Sequence, residues 1–171
     1  VARNTWAATQ GRAALQIEWD DGPNGSYDSV QYRKTLEAAA RAPGKMLRND
    51  GDALAAWQGA PEGLRVQAEY YIPHLAHASM EPPSATARVS ADKAEIGTSA
   101  QNPHAARDGA AKALGLTLEQ VTLHNLLLGG AFGRKSKPDY VTEAVLVAKT
   151  MEGRPVKLTW TREDDIHADY L

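Results

Sequence analysis

The sequence predicts an α+β fold, and three observations carry that prediction. Two short alternating stretches, residues 85–90 (ATARVS) and 93–99 (KAEIGTS), read as a β-hairpin turning at Ala91 and Asp92. A helix follows with its boundaries written in the sequence: Asn102 at the N-cap, Pro103 at the first helical position and Gly115 past the end. A strand at 121–128 (VTLHNLLL), a helix at 139–151 (DYVTEAVLVAKTM) with Gly153 beyond it, and a strand at 156–160 (VKLTW) complete an alternating run.

The elements before this run form a helix-rich first portion, residues 1–63, with the remainder, 64–171, as the second. Residues 4–14 read as a helix, and 15–19 (LQIEW) alternate as a half-buried strand that the turn residues of 20–25 (DDGPNG) break. Asp28 or Ser29 caps a helix that closes at Pro43 and Gly44, and 52–58 (DALAAWQ) forms a shorter one before Pro61 and Gly63. Residues 65–71 (RVQAEYY) alternate as a strand. The stretch 74–83 (HLAHASMEPP) is irregular, because Pro73, Pro82 and Pro83 forbid a long helix through it. Thr161 followed by Asp164 echoes a helix cap near the end.

At 171 residues, 43% hydrophobic and 23% charged, the chain can bury a core of its own. No window approaches the roughly 20 apolar residues of a membrane helix, so no membrane span is expected. A net charge of −2, with basic residues scattered among acidic ones, argues against nucleic acid as a partner. The chain has no cysteine, which excludes disulfides, thiolate metal ligands and an iron–sulfur cluster within it. It starts at Val1 with no export signal and stops where a helix begins, so it reads as a piece of a longer or processed protein whose targeting signals lie elsewhere, and its compartment is not legible.

Four motifs bear on chemistry. In residues 126–141 (LLLGGAFGRKSKPDYV), Gly129, Gly130 and Gly133 sit between a strand and a helix, where glycines let amide donors approach a polar or anionic ligand. The spacing fits neither phosphate-binding fingerprint, and the stretch reads equally as an ordinary turn. Phe132, the single phenylalanine, is either core or a pocket wall. His74, His77 and Glu81 form a possible metal trio without the spacing of a zinc protease, alongside the reading of packed histidines. Gln101, before a helix N-terminus, either caps it or donates to a ligand oxygen.

Taken together, YYIPHLAHASMEPPSATARV, SAQNPHAARD and LLLGGAFGRKSKPDY resemble the molybdopterin-binding large subunit of the xanthine dehydrogenase and aldehyde oxidase family, most of all the isoquinoline 1-oxidoreductase beta-subunit type. The resemblance implies the end of a hammerhead-like domain in residues 1–63 and the first part of a molybdenum-cofactor-binding domain in 64–171. It implies molybdopterin, as the cytosine dinucleotide, carrying molybdenum, with Gln101 hydrogen-bonding an oxo ligand of the metal. Gly130, Ala131, Phe132, Gly133 and Arg134 would line the cofactor, and Phe132 would present a face to a flat substrate.

The implied reaction hydroxylates an N-heterocycle or an aldehyde with oxygen from water. Electrons would leave through an iron–sulfur or haem partner subunit, since this chain has no cysteine to hold a cluster. Ala131 stands where many relatives have a third glycine, Arg134 where many have glycine, and Ser136 where xanthine-oxidising members have a glutamate, which argues against purine substrates. The family's catalytic glutamate lies far downstream and matches no residue here, so the chain is expected to need the remainder of the large subunit. The rival expectations are a non-catalytic assembly module, in which the glycine loop is only a turn, and a metal hydrolase built on the His/Glu trio.

Overall fold

Asn4 accepts a hydrogen bond from the Ala7 amide at 2.9 Å, and α1 (Thr5–Ala13) begins there. Asp28 does the same for Gln31 at 2.7 Å, opening α2 (Ser29–Arg41), and Asp52 for Ala55 at 2.9 Å, opening α3 (Ala53–Gly59). These caps satisfy amides that the first turn of a helix leaves free. The computed structural model describes residues 1–170, and the chain divides into two units, Val1–Ala68 and Glu69–Leu171. The first unit consists of these helices and short one-turn segments.

Two predicted strands are not formed. Residues 15–19 and 65–71 are irregular. Alternation specifies a strand only when one face has a core to meet and an edge has a ladder to join. Leu15, Ile17 and Trp19 are all exposed, as are Val66 and Tyr70, so neither stretch has such a face.

The second unit holds a four-stranded sheet in the order Val121–Asn125, Ala94–Thr98, Ser84–Val89, Val156–Thr159. Strands β1 (Ser84–Val89) and β2 (Ala94–Thr98) form the predicted antiparallel hairpin, with Ala87 opposite Ile96. Helix α4 (Pro103–Leu114) crosses over to β3 (Val121–Asn125), which runs parallel to β2. Helix α5 (Asp139–Lys149) then leads to β4 (Val156–Thr159), antiparallel to β1, and α6 (Arg162–His167) follows. The predicted caps are in place: Asn102 accepts from Ala105 at 3.0 Å, Gly115 takes φ +72°, and Thr161 and Asp164 form a reciprocal capping box.

Strand β3 ends at Asn125 rather than Leu128 because its partner ends at Thr98, whose carbonyl takes a last bond from the Leu126 amide at 2.8 Å.

Helices α4 and α5 pack against one face of this sheet and each other. The buried layer is built mainly from small residues: Ala85, Ala87, Ala94, Ala106, Ala110, Ala111, Ala144 and Ala148, with Ile96, Val121, Val141, Val145 and Tyr140 filling the gaps. Short side chains let the layers approach closely. At Gly109 a methyl group would already lie 3.0 Å from the Pro138 ring. The other face is polar, with Arg88 and Glu95 paired across the hairpin at 3.1 Å. Among the described residues no helix is long and apolar enough to cross a membrane.

Candidate functional site

Strand directions bring four loop segments to one end of the sheet. Parallel β2 and β3 end side by side at Thr98 and Asn125, β1 begins at Ser84, one residue before the Ala85 that faces Thr98, and β4 ends at Thr159 opposite Ser84. Residues 77–83, 99–102, 126–138 and the start of α6 therefore meet where the carboxyl ends of parallel strands commonly hold ligands.

The glycine loop lies antiparallel against residues 77–81. A Cβ on Gly129 would stand 2.7 Å from Glu81 Cβ, one on Gly130 would stand 3.8 Å from Ser79 Cβ, and one on Gly133 would stand 3.3 Å from His77 Nε2. The bare faces of Gly129 and Gly133 are thus needed first to admit a neighbouring segment. Gly130 and Gly133 have φ of +96° and +114°, and Phe132 between them has φ +54°. A bulky residue rarely adopts that conformation, and it stores about 1–3 kcal/mol of strain of the kind found at ligand clamps. Phe132 is 78% exposed, which removes the core reading.

Gln101 meets this loop directly. Its backbone amide donates to the Lys135 carbonyl at 3.0 Å, and its side-chain Oε1 accepts from the Gly133 amide at 3.1 Å. An N–H donor on one side requires the oxygen there, so the Gln101 NH2 group faces away from Gly133 as a donor. Among the described residues no acceptor is found for the amides of Gly130, Ala131 and Phe132.

Arg134 departs from the expectation that it faces a cofactor. Its side chain is fully buried, its guanidinium meets Asp139 at 3.0 and 2.6 Å and the Ala168 carbonyl at 3.0 Å, and the Trp160 and Tyr170 rings each lie 5.1 Å away. Its amide donates to the Ala131 carbonyl at 3.0 Å. A planar guanidinium with a fork-shaped donor set suits this interior position, so Arg134 braces the loop from behind. Ala131 is also buried.

The proposed metal trio disperses. His77 turns to Asp169, with Nδ1 at 2.9 and 3.1 Å from its two oxygens, while Glu81 Oε2 accepts from Lys135, from Ser99 Oγ at 3.0 Å and from the Gly129 amide at 3.0 Å. Among the described residues no group of three His, Cys, Asp or Glu side chains is placed to hold a metal. Burial raises the Glu81 pKa, but the bonds from Lys135, Gly129 and Ser99 outweigh it and hold the carboxyl below its ordinary value. Burial likewise raises Asp169, and hydrogen bonds from the His77 amide and ring bring it below the ordinary value.

The sequence gives no sign of Asp169 at this site, nor of the pairing of buried Lys135 with Glu81. Lys135 follows the glycine loop directly, but nothing in the sequence ties Asp169 to His77, 92 positions away. A surface depression of about 440 Å³ between Val89, Leu114, Leu116 and Lys149 lies elsewhere, at the carboxyl ends of α4 and α5. The loop residues and Gln101 lie at the amino ends of the same helices.

The chain is 32% identical over 171 residues to a membrane-bound aldehyde dehydrogenase (pyrroloquinoline-quinone) of Gluconacetobacter polyoxogenes, covering 99% of this chain and 22% of that one. It is 32% identical over 179 residues to the beta chain of isoquinoline 1-oxidoreductase of Brevundimonas diminuta, covering 97% and 22%. The chain thus spans about a fifth of the length of these relatives. In fold it is similar to quinoline 2-oxidoreductase from Pseudomonas putida 86, with a TM-score of 0.46 and 23% identity over 53% of this chain and 12% of that one.

A model of the molybdopterin cofactor-binding domain matches residues 38–170. That match takes in all four segments at the loop end of the sheet, and the chain belongs to the molybdopterin cofactor-binding domain family.

Proposed function

We propose that this chain forms one wall of the cofactor site of a molybdenum hydroxylase that oxidises an N-heterocycle or an aldehyde with oxygen from water. The observation that carries this reading is the bond from the Gly133 amide to Gln101 Oε1. It leaves an outward NH2 donor beside the amides of Gly130 and Phe132, for which no acceptor is found among the described residues. Such a donor set fits an acceptor-rich group, as the oxygens and sulfurs of a molybdenum–pterin complex are. When bound, that group supplies the two-electron oxidant for the substrate carbon.

The chain's own residues then have distinct tasks. Gln101 donates to an oxygen of the bound group, Gly130 and Phe132 offer their amides, Ala131 packs the loop from inside, and the exposed Phe132 gives a planar substrate a face to lie on. Gly133 holds Gln101, and Arg134 keeps the loop in shape from inside. The names of relatives support the substrate classes: an isoquinoline oxidoreductase, an aldehyde dehydrogenase and a nicotinate dehydrogenase. With no cysteine here, electrons leave through an iron–sulfur or haem partner subunit. We also read the cofactor as the cytosine dinucleotide form, residues 1–63 as the end of a hammerhead-like portion, and the remainder of the large subunit as completing the site.

Metal and cofactor analysis of the full-length protein tests this. Stoichiometric molybdenum with a released pterin is expected, and pyrroloquinoline quinone in its place, or no metal, would overturn the reading. Gln101→Glu keeps an acceptor for Gly133 but replaces the outward donor by an oxygen. Turnover should fall by about 10²–10³, the effect of losing one aimed donor, with the melting temperature unchanged. Loss of metal-free assembly with partner subunits, rather than of turnover, would instead favour an assembly module.

A further inference from the structure

We propose that His77 is a ligand-facing residue of this site, oriented by Asp169 so that its Nε2 edge stands over Gly133 beside Gln101. This rests on the reading of the loop as a cofactor wall.

The Asp169 side chain is 2% exposed and is engaged from both sides. It meets His77 Nδ1 at 2.9 Å, accepts from the His77 backbone amide, and lies 3.3 Å from Arg134 Nε. An ionised carboxylate only accepts, so the ring carries its proton on Nδ1 and, when neutral, presents a lone pair at Nε2. No protein partner is found for Nε2 among the described residues, and the ring is 27% exposed.

Its direction follows from Gly133: a methyl there would come within 3.3 Å of Nε2, so only the bare glycine separates the imidazole edge from the loop. The amide of that same glycine holds Gln101. Gln101 and His77 therefore bracket one residue, the first as a donor and the second as an acceptor. Donors aimed at ligand oxygens are plentiful here, whereas His77 is the complementary group for a proton-bearing oxygen or nitrogen, such as water or a heterocycle N–H. A histidine serving only to anchor Asp169 would need no open Nε2, because any amide N–H does that task.

The test uses the full-length protein, loaded and stripped of cofactor, treated with diethyl pyrocarbonate and read by peptide mass spectrometry. His77 should be modified in the stripped protein and about tenfold more slowly in the loaded one, as expected for a group in ligand contact. His124, on the polar face beside Glu95, serves as the unchanged reference. Equal rates for His77 in the two forms would overturn the proposal.

Two variants separate a ligand-facing from an anchoring role. His77→Gln places an amide near the Nε2 position, and His77→Asn keeps only a donor to Asp169. At equal molybdenum content, kcat/KM should be about fivefold higher for the Gln variant, the worth of one hydrogen bond. The reverse order is what a purely structural role requires, and it would sink the idea. Should either variant fail to fold, the labelling of the unaltered protein decides. Wild-type protein without molybdenum overturns both this inference and the functional reading, whereas molybdenum-loaded protein with unprotected His77 overturns this inference alone.

Discussion

Gly129 and Glu81 are held face to face: the Gly129 amide donates to Glu81 Oε2 at 3.0 Å, its carbonyl accepts from the Glu81 amide at 3.2 Å, and a Cβ on the glycine would fall 2.7 Å from Glu81 Cβ. The contact is with an atom fixed to the backbone, so it cannot be relieved by rotating a side chain. Gly129→Ala must therefore push the loop away from residues 77–81. A loss of about 1–3 kcal/mol is expected, as for other overpacked sites, seen as a lower melting temperature. A variant that melts with the wild type would show that the two segments are not in contact.

The Lys135–Glu81 pair is unequally buried, since the lysine side chain is fully enclosed while the glutamate is 37% exposed. Removing the carboxylate strands an ammonium away from water, but removing the ammonium leaves a carboxylate that can still reach solvent, Ser99 and Gly129. Glu81→Gln should destabilise by about 2 kcal/mol, between the values for an exposed and a fully buried pair because Glu81 is partly screened, and Lys135→Met by clearly less. Denaturant titration of the two variants checks the order.

Acid should act through the same carboxylates. Glu81 and Asp169 titrate below their ordinary values of 4.5 and 3.8 in the folded protein. A depressed folded pKa means that the unfolded chain binds more protons as pH drops, so their contribution is complete above about pH 5 and fades as pH falls through the folded values. The stability difference between wild type and Glu81→Gln should accordingly shrink below pH 4.5, a trend readable from thermal melts across pH 3–7.

Arg134 holds together Asp139, the Ala168 carbonyl and the rings of Trp160 and Tyr170. Lysine keeps the charge but not the planar fork. Arg134→Lys should cost about 2–4 kcal/mol and expose the loop to proteolysis, since a point charge cannot replace a bidentate, ring-flanked guanidinium. Limited proteolysis around residues 129–137 gives the comparison, and an unchanged cleavage pattern would contradict it.

Phe132 combines an exposed ring with φ +54°. Glycine adopts that φ freely, and the ring buries little. Phe132→Gly should shift folding stability by less than about 1 kcal/mol in either direction, strain relief offsetting the greater freedom of the unfolded chain. Substrate KM should nevertheless rise, if the ring serves a ligand rather than the fold. Melting curves and steady-state kinetics separate the two effects.

The helices and the hairpin were legible because their signals are local. Asn102, Pro103 and Gly115 satisfy or release backbone groups within a few residues, and the alternation at 85–90 and 93–99 meets a core that the intervening turn folds back onto. The stretches 15–19 and 65–71 carry the same alternation but remain irregular, because a strand also needs a partner and a buried face that periodicity alone does not supply. Gln101 and the glycine loop were legible as separate motifs. Their meeting was not, as it depends on β2 and β3 ending side by side.

What the sequence determined by itself is therefore the local grammar: where helices start and stop, which loop is rich in glycine, and the absence of cysteine. Tertiary structure alone decided which way the charged residues face. It turned Arg134 inward and drew Glu81 to Lys135, and it set His77 against Asp169, ninety-two positions away. Capping and turn propensities act over a few bonds, whereas a buried charge takes whichever opposite charge the packed layers bring within reach, and that choice is made only once the sheet has aligned its loops.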